Sequence, residues 1–175
     1  NSYKHDNRCL AGVEVERDDS GGYFITLNDW NMPNWIRPVS KNTIGGAIPN
    51  CIAENIQLFD VVLLSDVEPC PDGAQSENFF YEKMSVVYQP KPQEKWLDII
   101  SRTNRKVILG NLYPYISHDH FVNMDYSVLM IRVSGISYYL KQREDKQPQP
   151  RMKFIYNDAE YDFPITDPKF RTIVE

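Results

Sequence analysis

Lys153-Phe154-Ile155-Tyr156-Asn157-Asp158-Ala159-Glu160-Tyr161-Asp162-Phe163-Pro164-Ile165 is the stretch that decides the fold class. Two runs rich in aromatic and β-branched residues flank Asn157-Asp158-Ala159, and Asn and Asp tolerate the backbone of a tight turn. The pattern is an antiparallel hairpin. Runs of the same kind recur outward at Cys9–Glu16, Tyr23–Asn28, Asn34–Val39, Leu58–Ser65, Ser85–Gln89, Lys106–Leu109, Ser127–Ser134 and Ile136–Leu140, bounded by Gly, Pro, Asn and Asp. They predict a meander-like, antiparallel topology. Leu58-Phe59-Asp60-Val61-Val62-Leu63-Leu64 reads as a fully buried strand, and the Ser134-Gly135 step as a hairpin or bulge.

Helix signals are few. Gln93–Thr103 places Trp96, Leu97 and Ile100 on one face, Thr166-Asp167-Pro168 supplies a cap and a proline ahead of Phe170 and Ile173, and Ile116–Met124 offers a third short helix. Lys141–Arg151, with six charges and two prolines, reads as a mobile hairpin loop or inserted arm. So many short strands fit one sandwich or two small barrels. Two fit better, since an OB-like barrel needs about five strands and often carries a helix across one end. The expected fold is mainly β, with two small OB-like antiparallel barrels in tandem and two or three short helices. Residues 1–90 form the first barrel and 91–175 the second, with the seam near the proline-rich Gln89–Gln93.

A content of 42% hydrophobic and 13% aromatic residues excludes a disordered chain, and no stretch has the roughly 18 apolar residues of a membrane span. Asn1 in place of Met leads us to expect a piece of a longer polypeptide. Cys9, Cys51 and Cys70, an odd count at spacings matching no disulfide framework, are expected to be reduced thiols in a cytoplasmic protein. A net charge of −5 argues against indiscriminate phosphate binding. The distribution is uneven, however: residues 51–82 carry seven acids and no Lys or Arg, and residues 83–111 six bases against two acids. That swing from −7 to +4 builds either a local positive face or two surfaces that attract each other.

Cations stand beside an aromatic in Trp35-Ile36-Arg37-Pro38-Val39-Ser40. On a strand Trp35 and Arg37 share a face, so the indole can stack on a base while the guanidinium meets phosphate; alternatively Trp35 is core and Arg37 lies over it. Ser2, Lys4 and Arg8 can hold a phosphate at a barrel mouth, or Arg8 pairs with Asp60 or Glu14. Gln75, Glu77 and Asn78 can read a base edge, or cap a turn with Glu77 paired to Arg8 or Arg37. His118-x-His120 alone is too little for a metal site, so no metal and no cofactor is expected. The chain has no Gly-x-Ser-x-Gly elbow and no phosphate-cradling glycine loop, and no catalytic residue is assigned.

The order Ser2-x-Lys4, Arg8-Cys9-x-Ala11-Gly12, Trp35-Ile36-Arg37-Pro38-Val39-Ser40, Phe59-Asp60-Val61-Val62, Gln75-x-Glu77-Asn78 and the closing Phe154-x-Tyr156…Tyr161-Asp162-Phe163-x-Ile165-Thr166-Asp167-Pro168 resembles the bacterial family called dual OB-containing domain proteins. The resemblance spans almost the whole chain. It departs at His5-Asp6-Asn7, where a small turn is expected, and at the long Asp18–Asn34 segment. The resemblance implies two OB barrels and a nucleic-acid or nucleotide-binding role, in defence or stress systems, without a defined catalytic activity.

The expectation is therefore a non-enzymatic binding module that presents Ser2, Lys4, Arg8, Trp35, Arg37, Gln75, Glu77 and Asn78 to a nucleotide or single-stranded nucleic acid. The alternative is a protein-interaction or regulatory domain whose acidic 51–82 region and Lys141–Arg151 arm dock a partner chain, its surface supplied by some of the eleven tyrosines.

Overall fold

A computed structural model describes residues 2–4, 7–144, 146–167 and 170, the backbone alone at 2–4 and 146. The strands run β1 (Ser2–Lys4), β2 (Asn7–Cys9), β3 (Gly12–Val13), β4 (Val15–Arg17), β5 (Tyr23–Ile25), β6 (Trp35–Val39), β7 (Val61–Ser65), β8 (Glu68–Pro69), β9 (Asn78–Phe80), β10 (Lys83–Tyr88), β11 (Ser134–Arg143), β12 (Lys146–Tyr156) and β13 (Ala159–Pro164). Three short α-helices accompany them among the described residues: α1 (Asn50–Ala53), α2 (Glu94–Ile100) and α3 (His118–Val122). The helix expected after Pro168 lies outside the described residues, although the Asp167 carboxylate accepts from the Phe170 N–H at 3.0 Å, as a helix cap does.

The chain is mainly β, as expected, but the strands of the described residues fall into five separate sheets, none of them closed into a barrel. The second half holds the longest ladders, a three-stranded antiparallel sheet in the order β11-β12-β13. Asn157 and Asp158 both have positive φ, 47° and 62°, so a two-residue loop joins Tyr156 to Ala159. Ser134-Gly135 is a bulge within β11, where the register shifts and Gly135 sits at φ 59°. Phe154, Tyr156, Tyr161 and Ile108 form the buried cluster beneath this sheet, with Phe154 and Tyr161 stacked at 5.5 Å and Phe163 edge-on to both.

Several expectations are corrected. Lys141–Arg151 is not a loop: β11 and β12 continue through it as paired strands out to Arg143 and Lys146, and Pro150 is fully buried. Lys106–Leu109 turns at Ile108–Gly110, where Leu109 and Gly110 both take positive φ, and Ser127–Val133 pairs with no strand among the described residues. Leu58–Leu64 is not buried. Leu58 and Leu63 are 77% and 57% exposed, and among the described residues β7 pairs only with β10, in a two-stranded sheet.

The topology is not wholly antiparallel either. In the sheet β3-β6-β9-β8, β6 and β9 run parallel, with Arg37 opposite Asn78 and Val39 opposite Phe80. A parallel pair needs a long crossover, supplied here by α1 and β7 between Val39 and Asn78. Pro38 is tolerated in an inner strand because β3 pairs with β6 only at Trp35 and Ile36, leaving no ladder on that side to lack its N–H. The strand ends at Val39, which is buried against the turn Ile44–Gly46. Gly46 has φ 71°, and a Cβ there would lie 2.2 Å from Val39 Cγ1.

Candidate functional site

Parallel pairing of β6 with β9 gathers four residues that the sequence singled out. Arg37 and Asn78 lie directly opposite and share a face, and the Arg37 N–H donates to the Glu77 carbonyl at 2.8 Å. The turn Asp72–Gln75, with Gly73 at positive φ, brings Gln75 over that face. Its Oε1 accepts from Arg37 Nη2 at 2.8 Å and from Asn78 Nδ2 at 3.1 Å. Ser127 completes the group from the segment after α3: Arg37 Nη1 donates to its Oγ at 3.4 Å, and its hydroxyl donates to the Glu77 carboxylate. Nearby, the Ser76 hydroxyl donates to the Asp125 carbonyl at 2.8 Å, and Phe121 of α3 packs on Gly73.

Burial divides the roles within this group. Glu77 and Asn78 are 7% and 4% exposed, so they hold the strand pairing. Arg37 and Gln75 are half-buried and reachable. The Arg37 guanidinium bonds to an amide and a hydroxyl, with the nearest carboxylate of this group, Glu77, engaged through Ser127. Asn78 Oδ1 is buried without a hydrogen-bond partner, an arrangement that costs about 1–3 kcal/mol. Half-buried Trp35 sits two residues before Arg37 on the same face, beside Val13 of β3.

Arg8 belongs to a separate contact. Its backbone bridges to fully buried Ile48 at 2.9 and 2.7 Å, and its Nε donates to Asn50 Oδ1 at 3.1 Å, at the start of α1. Asn50 is thus a side-chain partner of Arg8 that the sequence reading, which offered Asp60 or Glu14 as the alternative to phosphate, did not name. Ser2 and Lys4 lie on β1, paired with Cys9 and Asn7 of β2; their side chains lie outside the described residues. Asn50 and Ser127 escaped the sequence reading because no local pattern marks a partner 42 or 90 residues away.

Cys9, Cys51 and Cys70 are free thiols, and burial pushes the Cys70 thiol pKa up. Among the described residues no three His, Cys, Asp or Glu side chains gather where they could hold a metal ion. No helix of the described residues is long and apolar enough to cross a membrane.

A family model described as dual OB-containing domain matches residues 1–175. The chain belongs to the dual OB-containing domain family. Membership supports an OB-like fold for these short strands, and OB folds as a class bind oligonucleotides and oligosaccharides. No curated protein and no solved structure matches the chain.

Proposed function

We propose that this member of the dual OB-containing domain family is a non-enzymatic binding module that takes a nucleotide or single-stranded nucleic acid on the β6–β9 face. The observation that carries the reading is the half-buried Arg37 guanidinium, held by Gln75 and Ser127 rather than by a carboxylate, two residues from the half-buried Trp35 indole. In this reading Arg37 contacts phosphate or a base edge, Trp35 stacks on a base, and Gln75 offers its amide. Glu77 and Asn78 act by positioning Gln75 and the strand. Ser2, Lys4 and Arg8 belong to the reading as flanking contacts. The chain is further read as two OB-like units, 1–90 and 91–175, meeting near Gln89–Gln93.

Fluorescence anisotropy with labelled single-stranded oligonucleotides and mononucleotides, at two salt concentrations, tests the proposal. Binding is expected to weaken as salt rises, because neutralising phosphates releases counterions. Arg37→Ala is expected to weaken it further, while Arg37→Lys restores part of the affinity. Absence of binding by both probes at low salt overturns the proposal.

A second reading, a surface that docks a partner chain, draws on Ile136, Tyr138 and Leu140. These alternate along the edge strand β11 and are 47%, 47% and 38% exposed. Replacing Tyr138 with Lys would abolish partner docking and leave oligonucleotide affinity unchanged.

A further inference from the structure

Between β5 and β6 the chain closes a small loop on itself, and one asparagine organises it. Asn28 Oδ1 accepts from the backbone N–H groups of Trp30 at 2.9 Å and Met32 at 3.2 Å. The Asn28 N–H donates to the Met32 carbonyl, the Asn31 N–H donates to the Asn28 carbonyl, and Leu27 bridges to Pro33. Asn31 takes φ 58°, which Asn tolerates better than most residues. The backbone is fixed, and the indole of Trp30 is left 78% exposed. A loop this well satisfied holds its aromatic outside at little further entropic cost on binding.

A cation is tied to the same loop. Arg102, just beyond α2, donates from Nη1 to Asn31 Oδ1 at 2.9 Å. It is exposed, it belongs to the base-rich segment 83–111, and it makes none of the ion pairs of the described residues. Asp29, the acid of the loop, makes none either. A guanidinium therefore stands one residue from an exposed ring, with an amide for a partner.

We infer that Trp30 and Arg102 form a second contact point for single-stranded nucleic acid, where a base stacks on the indole and the adjoining phosphate meets the guanidinium. The inference rests on the proposed binding function and extends it along the strand. Trp30 precedes Trp35 by five residues, a separation of at most about 18 Å of chain, so one strand can engage both. A mononucleotide at Arg37 leaves Trp30 untouched. Charge favours nucleic acid over a neutral oligosaccharide, because only the former uses the cation without a carboxylate partner.

The test compares wild type, Trp30→Ala, Trp30→Phe and Arg102→Gln against a labelled mononucleotide and an oligothymidylate of about 12 nucleotides, within the roughly 4–16 that an OB fold covers. Trp30→Ala is expected to weaken the long probe on the order of tenfold, leave the mononucleotide unchanged, and keep the wild-type melting temperature; Trp30→Phe recovers most of the loss. Arg102→Gln is expected to reduce the salt slope by about one counterion. Wild-type affinity for the long probe in Trp30→Ala overturns the inference while the Arg37 reading stands. Failure of the wild type to bind either probe overturns both. Trp30-dependent binding of a neutral oligosaccharide, with none of the oligothymidylate, overturns the assigned ligand class.

Discussion

Arg37 and Arg151 each sit on a sheet strand with a polar network around the guanidinium, yet their charges are handled in opposite ways. Arg151, 8% exposed, donates from Nε to Asp162 Oδ1 at 2.7 Å and from Nη2 to the Asp162 carbonyl at 2.5 Å, and Tyr139 donates to the other Asp162 oxygen at 2.5 Å. All three residues come from β11, β12 and β13, so the ladder that aligns the strands also aligns the pair. Arg37 has only neutral groups as direct side-chain partners, drawn from positions 38 and 90 residues away. A buried, paired arginine holds a fold together. One that keeps its charge and part of its surface can still meet an anion.

The largest expected effect breaks the structural member of the comparison. Arg151→Ala leaves the partly exposed Asp162 carboxylate with the Tyr139 hydroxyl but without its guanidinium partner, and is expected to destabilise the protein by about 1.5–3 kcal/mol, read from urea unfolding, with ligand affinity unchanged under conditions where the variant is folded.

Acid separates the two sites next. Burial pushes the Asp162 carboxyl pKa up, but the hydrogen bonds from Tyr139 and Arg151 outweigh it and hold it below its ordinary 3.8. A carboxyl held low in the folded state adds stability above that ordinary value, lost as pH falls through the folded value. Thermal melts taken downward from pH 3.8 should therefore show a steeper loss in wild type than in Asp162→Asn; parallel curves would show that this pair does not drive acid sensitivity.

The smallest structural effect belongs to Arg37→Ala. Its partners are half-buried neutral groups, so a loss of about 1 kcal/mol is expected in the same urea assay, against a clear loss of anion affinity. A stability loss as large as that of Arg151→Ala would place Arg37 among the structural arginines and undo the contrast.

Legibility in the sequence followed the same divide. The closing hairpin, the bulge at Gly135, α2 and the helix around Phe121 were readable because each depends on neighbours in the chain: alternation, turn residues, a cap. Gln75, Glu77, Asn78 and Arg37 were readable as polar residues in unusual places, but their meeting was not. It requires β6 and β9 to pair in parallel across a long crossover, and nothing local marks Asn78–Phe80 as a strand. Leu58–Leu64 misled for the complementary reason: an apolar run states what burial would stabilise, while a second layer decides whether burial happens.

By itself the sequence determined a mainly β chain with a regular C-terminal hairpin, few helices, and a cation beside an aromatic on one strand, since these follow from backbone preference and side-chain alternation over a few residues. The tertiary structure alone decided which arginine is neutralised, which acids and amides are sealed in, and that Ser127 and Asn50 are the partners of Arg37 and Arg8. Those outcomes depend on contacts between residues far apart in sequence, whose closure is determined by packing of the whole chain rather than by any segment of it.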